Sequence, residues 1–402
     1  MKNHPLKFYT LAILFSLQPF TTSYSENTAS FTEMLTNGDV GLNFRYRYEY
    51  VDQDGIDREA NASTLKSRLT WSSAAYKKFK AGIEIDNVTV IGDENYRTPT
   101  NGQTSYPVVA DPGGTDINQA FVSFTGDDLT ASAGRQRILH GNQRFVGGVG
   151  WRQNEQTFDA VRLQLPSPDK VSLDYAYIRD VNRIFGPDNS AVQPKRWESD
   201  SHILTAALAP AKGHKLGAFI YLLDFDNSPA NSTSTYGIEY KGKAGPVSLT
   251  AALASQSDYA DNPTDYSADY YMAELGLTTK VATFALGYEV LGSDDGDAGF
   301  RTPLATLHKF QGWADKFLST PATGIEDAYL KVTGNIGPTK WALFYHDFSA
   351  DKGSADYGSE INLVGTYPIN KQLSAQLKYA NYDADDFATD TEKLWFTLNL
   401  KY

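Results

Sequence analysis

The chain has 402 residues, 41% hydrophobic and 21% charged, with a net charge of -12 and no cysteine. Disulfides and thiolate metal sites are therefore excluded, and the acidic balance argues against a nucleic-acid partner. Length alone allows one large domain or two ordinary ones.

Residues 1–25 read as an export signal, with Lys2 and Lys7 ahead of a mostly apolar run from Phe8 to Phe20 and small residues Ser23 and Ser25 at cleavage-like spacing. The mature chain is expected to start near Glu26, and without the two signal lysines it carries 34 basic and 48 acidic residues. The apolar run is shorter than the roughly 20 residues a spanning helix needs, and no later run is as long, so no membrane helix is expected.

Period-two alternation begins at Asp39, where Val40, Leu42, Phe44, Tyr46, Tyr48 and Tyr50 interleave with Gly41, Asn43, Arg45, Arg47 and Glu49. It recurs at Leu65 to Trp71 against Lys66, Arg68 and Thr70, and at Phe79 to Ile85 against Lys80, Gly82, Glu84 and Asp86. Further strands are predicted near 116–125, 129–138, 156–166, 170–180, 200–209, 214–225, 233–241, 245–254, 266–278, 281–291, 325–334, 339–348, 356–366, 372–381 and 392–402. The total is about 18 strands of about 10 residues, the length a tilted strand needs to cross a bilayer.

Short links at 72–77, 126–128, 167–169, 210–213, 242–244, 279–280, 335–338 and 367–371 alternate with longer, more polar loops near 52–60, 91–115, 139–155, 181–199, 226–232, 255–265, 292–324, 349–355 and 382–391. Such alternation is the arrangement of a transmembrane antiparallel β-barrel, an all-β fold whose even strand number puts both termini on the periplasmic side. Aromatic residues such as Tyr46, Trp71, Tyr175, Tyr177, Trp341, Tyr345 and Tyr379 stand near strand ends, where interfacial girdles form. The competing reading of the alternation, a soluble β-sandwich or β-rich secreted enzyme, gives no reason for connections to alternate in length. In hydrocarbon an open sheet edge would leave backbone groups unpaired, so the last strand, ending at Tyr402, must close on the first.

Two stretches resemble signatures of the alginate-export family of outer-membrane proteins: Gly134 to Phe145 (GRQRILHGNQRF) followed by Gln156 to Arg162 (QTFDAVR), and Gly299 to Phe317 (GFRTPLATLHKFQGWADKF). The resemblance implies an 18-stranded barrel in the bacterial outer membrane and passage of a negatively charged uronate polymer, although channels of other cargo share the family's layout.

A barrel of this size has a backbone radius of roughly 18 Å and a lumen radius of roughly 12 Å. That exceeds the Debye length of about 8 Å, so a selective pore needs charge brought inward. The loop 292–324 is the expected inward-folded segment, because Arg301, His308, Lys309, Asp315 and Lys316, with cations outnumbering the single acid, stand there among apolar residues such as Leu304, Phe310, Trp313 and Phe317. On the strands, the wet faces put Arg45, Arg47, Lys66, Arg68, Arg162, Lys331 and Lys378 toward the lumen, opposed by Glu49, Glu84, Asp86, Glu274, Asp327 and Glu360. Arg135 and Arg137 are out of phase with Thr130, Ser132 and Gly134; either a bulge re-aims them or the strand ends first. Arg135 is assigned to the lumen on the family resemblance.

The expected function is a porin-like channel for passive diffusion of hydrophilic, anionic solutes such as uronate oligosaccharides or alginate. An outer-membrane enzyme is the alternative, but no histidine sits in a recognisable catalytic motif; a plugged structural barrel is another. No catalytic residue, cofactor or metal is expected. The acidic run Asp52 to Asp57 lacks the spacing and closing glutamate of a calcium loop. Expected partners are outer-membrane lipid and lipopolysaccharide, the barrel-insertion machinery and an anionic oligo- or polysaccharide.

Overall fold

The computed structural model describes residues 30–167, 171–188 and 193–402. The export-signal assignment at 1–25 and part of the link at 167–169 fall outside them.

Eighteen strands form one sheet: β1 (39–53), β2 (60–72), β3 (79–90), β4 (114–125), β5 (130–136), β6 (157–165), β7 (172–182), β8 (196–211), β9 (214–223), β10 (233–244), β11 (247–258), β12 (267–278), β13 (282–291), β14 (325–336), β15 (339–349), β16 (356–368), β17 (373–383) and β18 (391–401). Each pairs antiparallel with its neighbours in sequence, and β18 returns to β1 with Leu398 opposite Tyr46 and Trp395 opposite Glu49. The sheet is a closed barrel, so every wall strand has a partner on both sides.

The alternation decides which way each side chain points. Val40, Ile238, Leu253 and Leu286 on the outer face are more than half exposed, whereas Arg47, Glu49, Lys66 and Glu84 on the inner face are almost wholly buried. An apolar exterior is what lipid requires; a buried charged interior means that something fills the lumen. The short-turn rim carries both ends of the described chain, including the six-residue helix α1 (Phe31–Thr36), capped by Ser30 and Glu33 and tied to Ala74 through the Met34 carbonyl.

Two details depart from the expected pattern. Strand β5 has seven residues and stops at Gln136, short of the expected 138. In the loop-side half of the barrel, inward positions are often apolar: Phe219, Tyr221 and Leu223 on β9 and Phe348 on β15 join Phe158, Trp197, Phe300 and Phe317 in one buried cluster. Period two therefore fails on strands such as β9, where hydrocarbon covers one face and inserted loops cover the other.

Candidate functional site in the lumen

Three connections enter the barrel. Loops 137–156 and 292–324 are joined backbone to backbone, with Gly147 N donating to Leu304 O (2.8 Å) and Thr306 N to Gln143 O (3.0 Å). A Cβ on Gly147 would lie 2.3 Å from Thr306 Oγ1, so only glycine allows this approach. Phe145 packs on Phe219, Tyr270 and Phe300, and Phe317 on Phe348 and Phe387. The third, 91–113, covers Val51, Ala60 and Ala62 with Tyr96 and Val109. The sequence reading treats 139–155 as one more long loop; the structure folds it inward beside 292–324.

These loops deliver charge to the wall. Arg68 on β2 donates to both oxygens of Asp86 (2.7 and 2.6 Å) and reaches Glu155 of the loop at 2.8 Å. Arg137, the first residue past β5, bridges Glu155 (2.5 Å) and Glu84. Lys66 lies 3.8 Å from Glu155. Burial alone would raise Glu155, yet Arg137, Arg68 and Lys66 hold it well below the usual carboxylate range.

A second cluster locks the two large loops together. Arg152 donates to Glu49 on β1 (2.9 Å) and to Asp315 (3.0 Å), which also accepts from Lys393 on β18 (2.9 Å). His308 Nδ1 donates to Asp315 Oδ1 (2.6 Å), while its Nε2 accepts from Lys378 Nζ on β17 (2.5 Å). That ammonium lies 3.7 Å from the Trp313 ring centroid, 4.0 Å from Trp151 and 5.2 Å from Trp395. Burial, aided by Lys378 and Arg152, keeps His308 well below the imidazole range against the pull of Asp315. With Nε2 taken by Lys378, the Asp315–His308 pair has no free nitrogen to activate a nucleophile.

Glu360 on β16 is fully buried and accepts the backbone N–H of Trp313 and of Ala314 (2.9 Å). Gly312 makes this possible: its φ is +78°, and a Cβ there would stand 2.1 Å from Glu360 Oε2.

The remaining predicted residues are distributed as follows. Arg45 donates to Gln153 Oε1 (2.8 Å), Gly150 O (2.9 Å) and Arg152 O, with no carboxylate among its bonds. Arg47 donates to Trp151 O (2.7 Å). Arg162 pairs with Asp174 (2.5 Å), Lys331 with Glu274 (2.7 Å) and Asp327 with His346 (2.8 Å). Within loop 292–324, Arg301 donates to Ala230 O (2.7 Å) and Lys309 to Asn142 O (2.8 Å). The cations thus form no bare ring; most meet a carboxylate or a carbonyl.

Arg135 is a correction. Its register partners are Ala120 on β4 and Asp159 on β6, positions that share the side of exposed Val122, Ala133 and Val161. It forms a bidentate pair with Asp159 (2.7 and 3.0 Å) on the outer wall, beside Asn182 and Arg196, and does not line the lumen. The strand runs one residue beyond it, so its phase is kept, whereas Arg137 lies past the end and turns inward. Sequence reasoning missed Trp151, Arg152 and Glu155 of loop 137–156. Their signal was available in the same mixture of cations with Phe145, Val146 and Trp151 that marks loop 292–324.

A closed 18-stranded barrel with an apolar exterior and loops folded into a charged interior is a bacterial outer-membrane β-barrel protein. The chain belongs to the alginate-export family, whose model matches residues 37–290. That span includes the first of the two signature stretches and ends before the second. The fold is similar to those of OccAB4 from Acinetobacter baumannii (14% identity, 90% of this chain and 98% of that chain covered, TM-score 0.67) and OccAB2 from the same organism (16%, 92% and 99%, 0.69). OccD3 (OpdP) of Pseudomonas aeruginosa is comparable (14%, 92% and 92%, 0.68). No curated protein matches the sequence.

Proposed function

We propose that the protein is a porin-like channel through which hydrophilic, anionic solutes, uronate oligosaccharides among them, diffuse passively across the outer membrane. The observation that carries this reading is the pair of loops docked in the lumen, which brings fixed charge inward from the wall. Arg45, Lys215, Lys241 and Lys309 supply positive charge without a carboxylate partner among the described residues. Purified protein in planar bilayers tests it. The expected result in a potassium chloride gradient is discrete openings with an anion-selective reversal potential; a cation-selective one removes the anionic part. Family membership supports the reading, since the founding activity is passage of a charged polymer.

A second reading, a non-conducting barrel, draws on the apolar cluster inside the loop-side half. Absence of openings in the same recordings favours it.

A further inference from the structure

On one flank the outer wall is charged where its apolar band would continue. Arg135 on β5, Asp159 on β6, Asp180 on β7 and Glu198 on β8 are register partners in turn. Their side is the lipid side, because Phe158, Val181 and Trp197, which alternate with them, belong to the interior cluster. One step nearer the loops, Asn182 stands opposite Arg196 on the same face. Carboxylates directly opposed across strands repel, and charge next to hydrocarbon is costly, so this row requires both cations and polar cover. The cations are present: Arg135 holds Asp159 through two hydrogen bonds (2.7 and 3.0 Å), and Arg196 lies 3.4 Å from Asp180 and 3.3 Å from Glu198.

Beside the row is a hollow of about 170 Å³ lined by Asp116, Arg135, Asn182, Pro187, Lys195 and Arg196. Asp159, Asp180 and Glu198 take no part in the lining, so three cations face the hollow against one carboxylate, Asp116, itself 3.7 Å from Arg135. Its shape follows from the early end of β5. Strand β4 extends past its last position level with Arg135, Ala120, as far as Gly114, and has no β5 partner there. Arg135 Nη1 bridges the step by donating to the Ile117 carbonyl (3.0 Å). The chain beyond β7 closes the other side, where a Cβ on Gly114 would stand 2.6 Å from Pro187 Cγ.

The position of the hollow restricts what reaches it. It opens on the lipid side and at the loop end, so a resident ligand belongs to the outward-facing leaflet and not to the stream of solutes in the lumen. Two guanidiniums and an ammonium from separate segments converge on it, which suits a tetrahedral anion with three acceptor oxygens better than a flat carboxylate with two. The volume is several times the roughly 30 Å³ share of a water molecule, enough for a phosphate group with its ester oxygen. We infer that Arg135, Lys195 and Arg196 form an outer-wall site for the phosphomonoester of a lipid headgroup in the outward-facing leaflet, with Asn182 beside the ester linkage. Such a headgroup would supply the polar cover that the charged row requires. The site is independent of whether the lumen conducts.

Native mass spectrometry of the delipidated full chain in detergent tests it, with diphosphoryl lipid A, the same lipid stripped of its phosphates, and inorganic phosphate as probes. Diphosphoryl lipid A is expected to bind saturably and the stripped lipid at least about tenfold more weakly. Lys195→Gln combined with Arg196→Gln is expected to weaken the phosphorylated lipid by roughly tenfold, and Lys195→Gln alone by less. Lys78→Gln, at an exposed cation of the short-turn rim, serves as the control and is expected to leave binding unchanged. Heat-modifiable migration on gels verifies that each variant is a closed barrel. Equal binding of the two lipids, or lipid binding unaltered in both Lys195 variants, overturns the site. Binding of inorganic phosphate as tight as that of diphosphoryl lipid A overturns the assignment to a lipid.

Discussion

At single positions, the docked loops depend on contacts that admit little change. Gly312 combines a left-handed backbone with direct contact to Glu360. Gly312→Ala is expected to cost about 1–2 kcal/mol from the backbone alone, and more as the Glu360 carboxylate leaves the Trp313 and Ala314 amides. Thermal unfolding in detergent, together with new protease cleavage inside 292–324, would show it. The cations differ in the same sense. Arg68 serves Glu84, Asp86 and Glu155 at once, so Arg68→Glu leaves buried carboxylates unpaired at a cost of about 3–5 kcal/mol. Lys215→Glu breaks no such network and should change stability by less than about 1 kcal/mol while shifting the reversal potential toward cations. A comparison of melting temperature and selectivity in the two variants checks both statements.

Among the elements, strands were far more legible than loops. The period of β1 or β3 is written in adjacent residues, because one face meets lipid wherever the strand goes. The mixture of cations and rings in 137–156 hints at an inward course, but its partners, Glu49 and Asp315 for Arg152 and Leu304 for Gly147, are remote in sequence and cannot be read from it. Strand β9 misleads a two-face reading for a related reason, since Phe219 and Tyr221 are covered by Phe145 of that loop. Loop docking also carries a pH dependence. His308 titrates well below its usual value in the folded protein, held there by burial against the rings of Trp151 and Trp395, aided by Lys378 and Arg152, despite the opposing pull of Asp315. Docking strength is then fully present above an unfolded pKa of about 6.5 and declines as pH falls below it, by up to about 1.4 kcal/mol per pH unit. Tryptophan emission is expected to shift to the red as pH drops from 7 toward 5, from loosening of the cage around Trp151, Trp313 and Trp395. Emission that stays constant over that interval rules out His308 as the cause.

For the whole barrel, closure is the requirement on which everything else rests. Leu398 pairs with Tyr46 on one side and Ala375 on the other. Leu398→Pro removes a ladder donor in the seam and is expected to cost about 3 kcal/mol or more; loss of heat-modifiable migration on gels would report failure to close. The strand number and the seam could be inferred from the sequence because lipid imposes them on every turn of the wall. For the interior the sequence pointed only to 292–324; the courses of 137–156 and 91–113 depend on partners that meet only after closure. The wall is also uneven. Arg135 and Asp159 lie on its outside only five residues above Thr130, about 17 Å along the strand, and Asn182 and Arg196 continue the hydrophilic surface next to them. Acyl chains beside this arc have less greasy protein to cover than elsewhere around the cylinder. The lipid collar is therefore expected to thin on that flank.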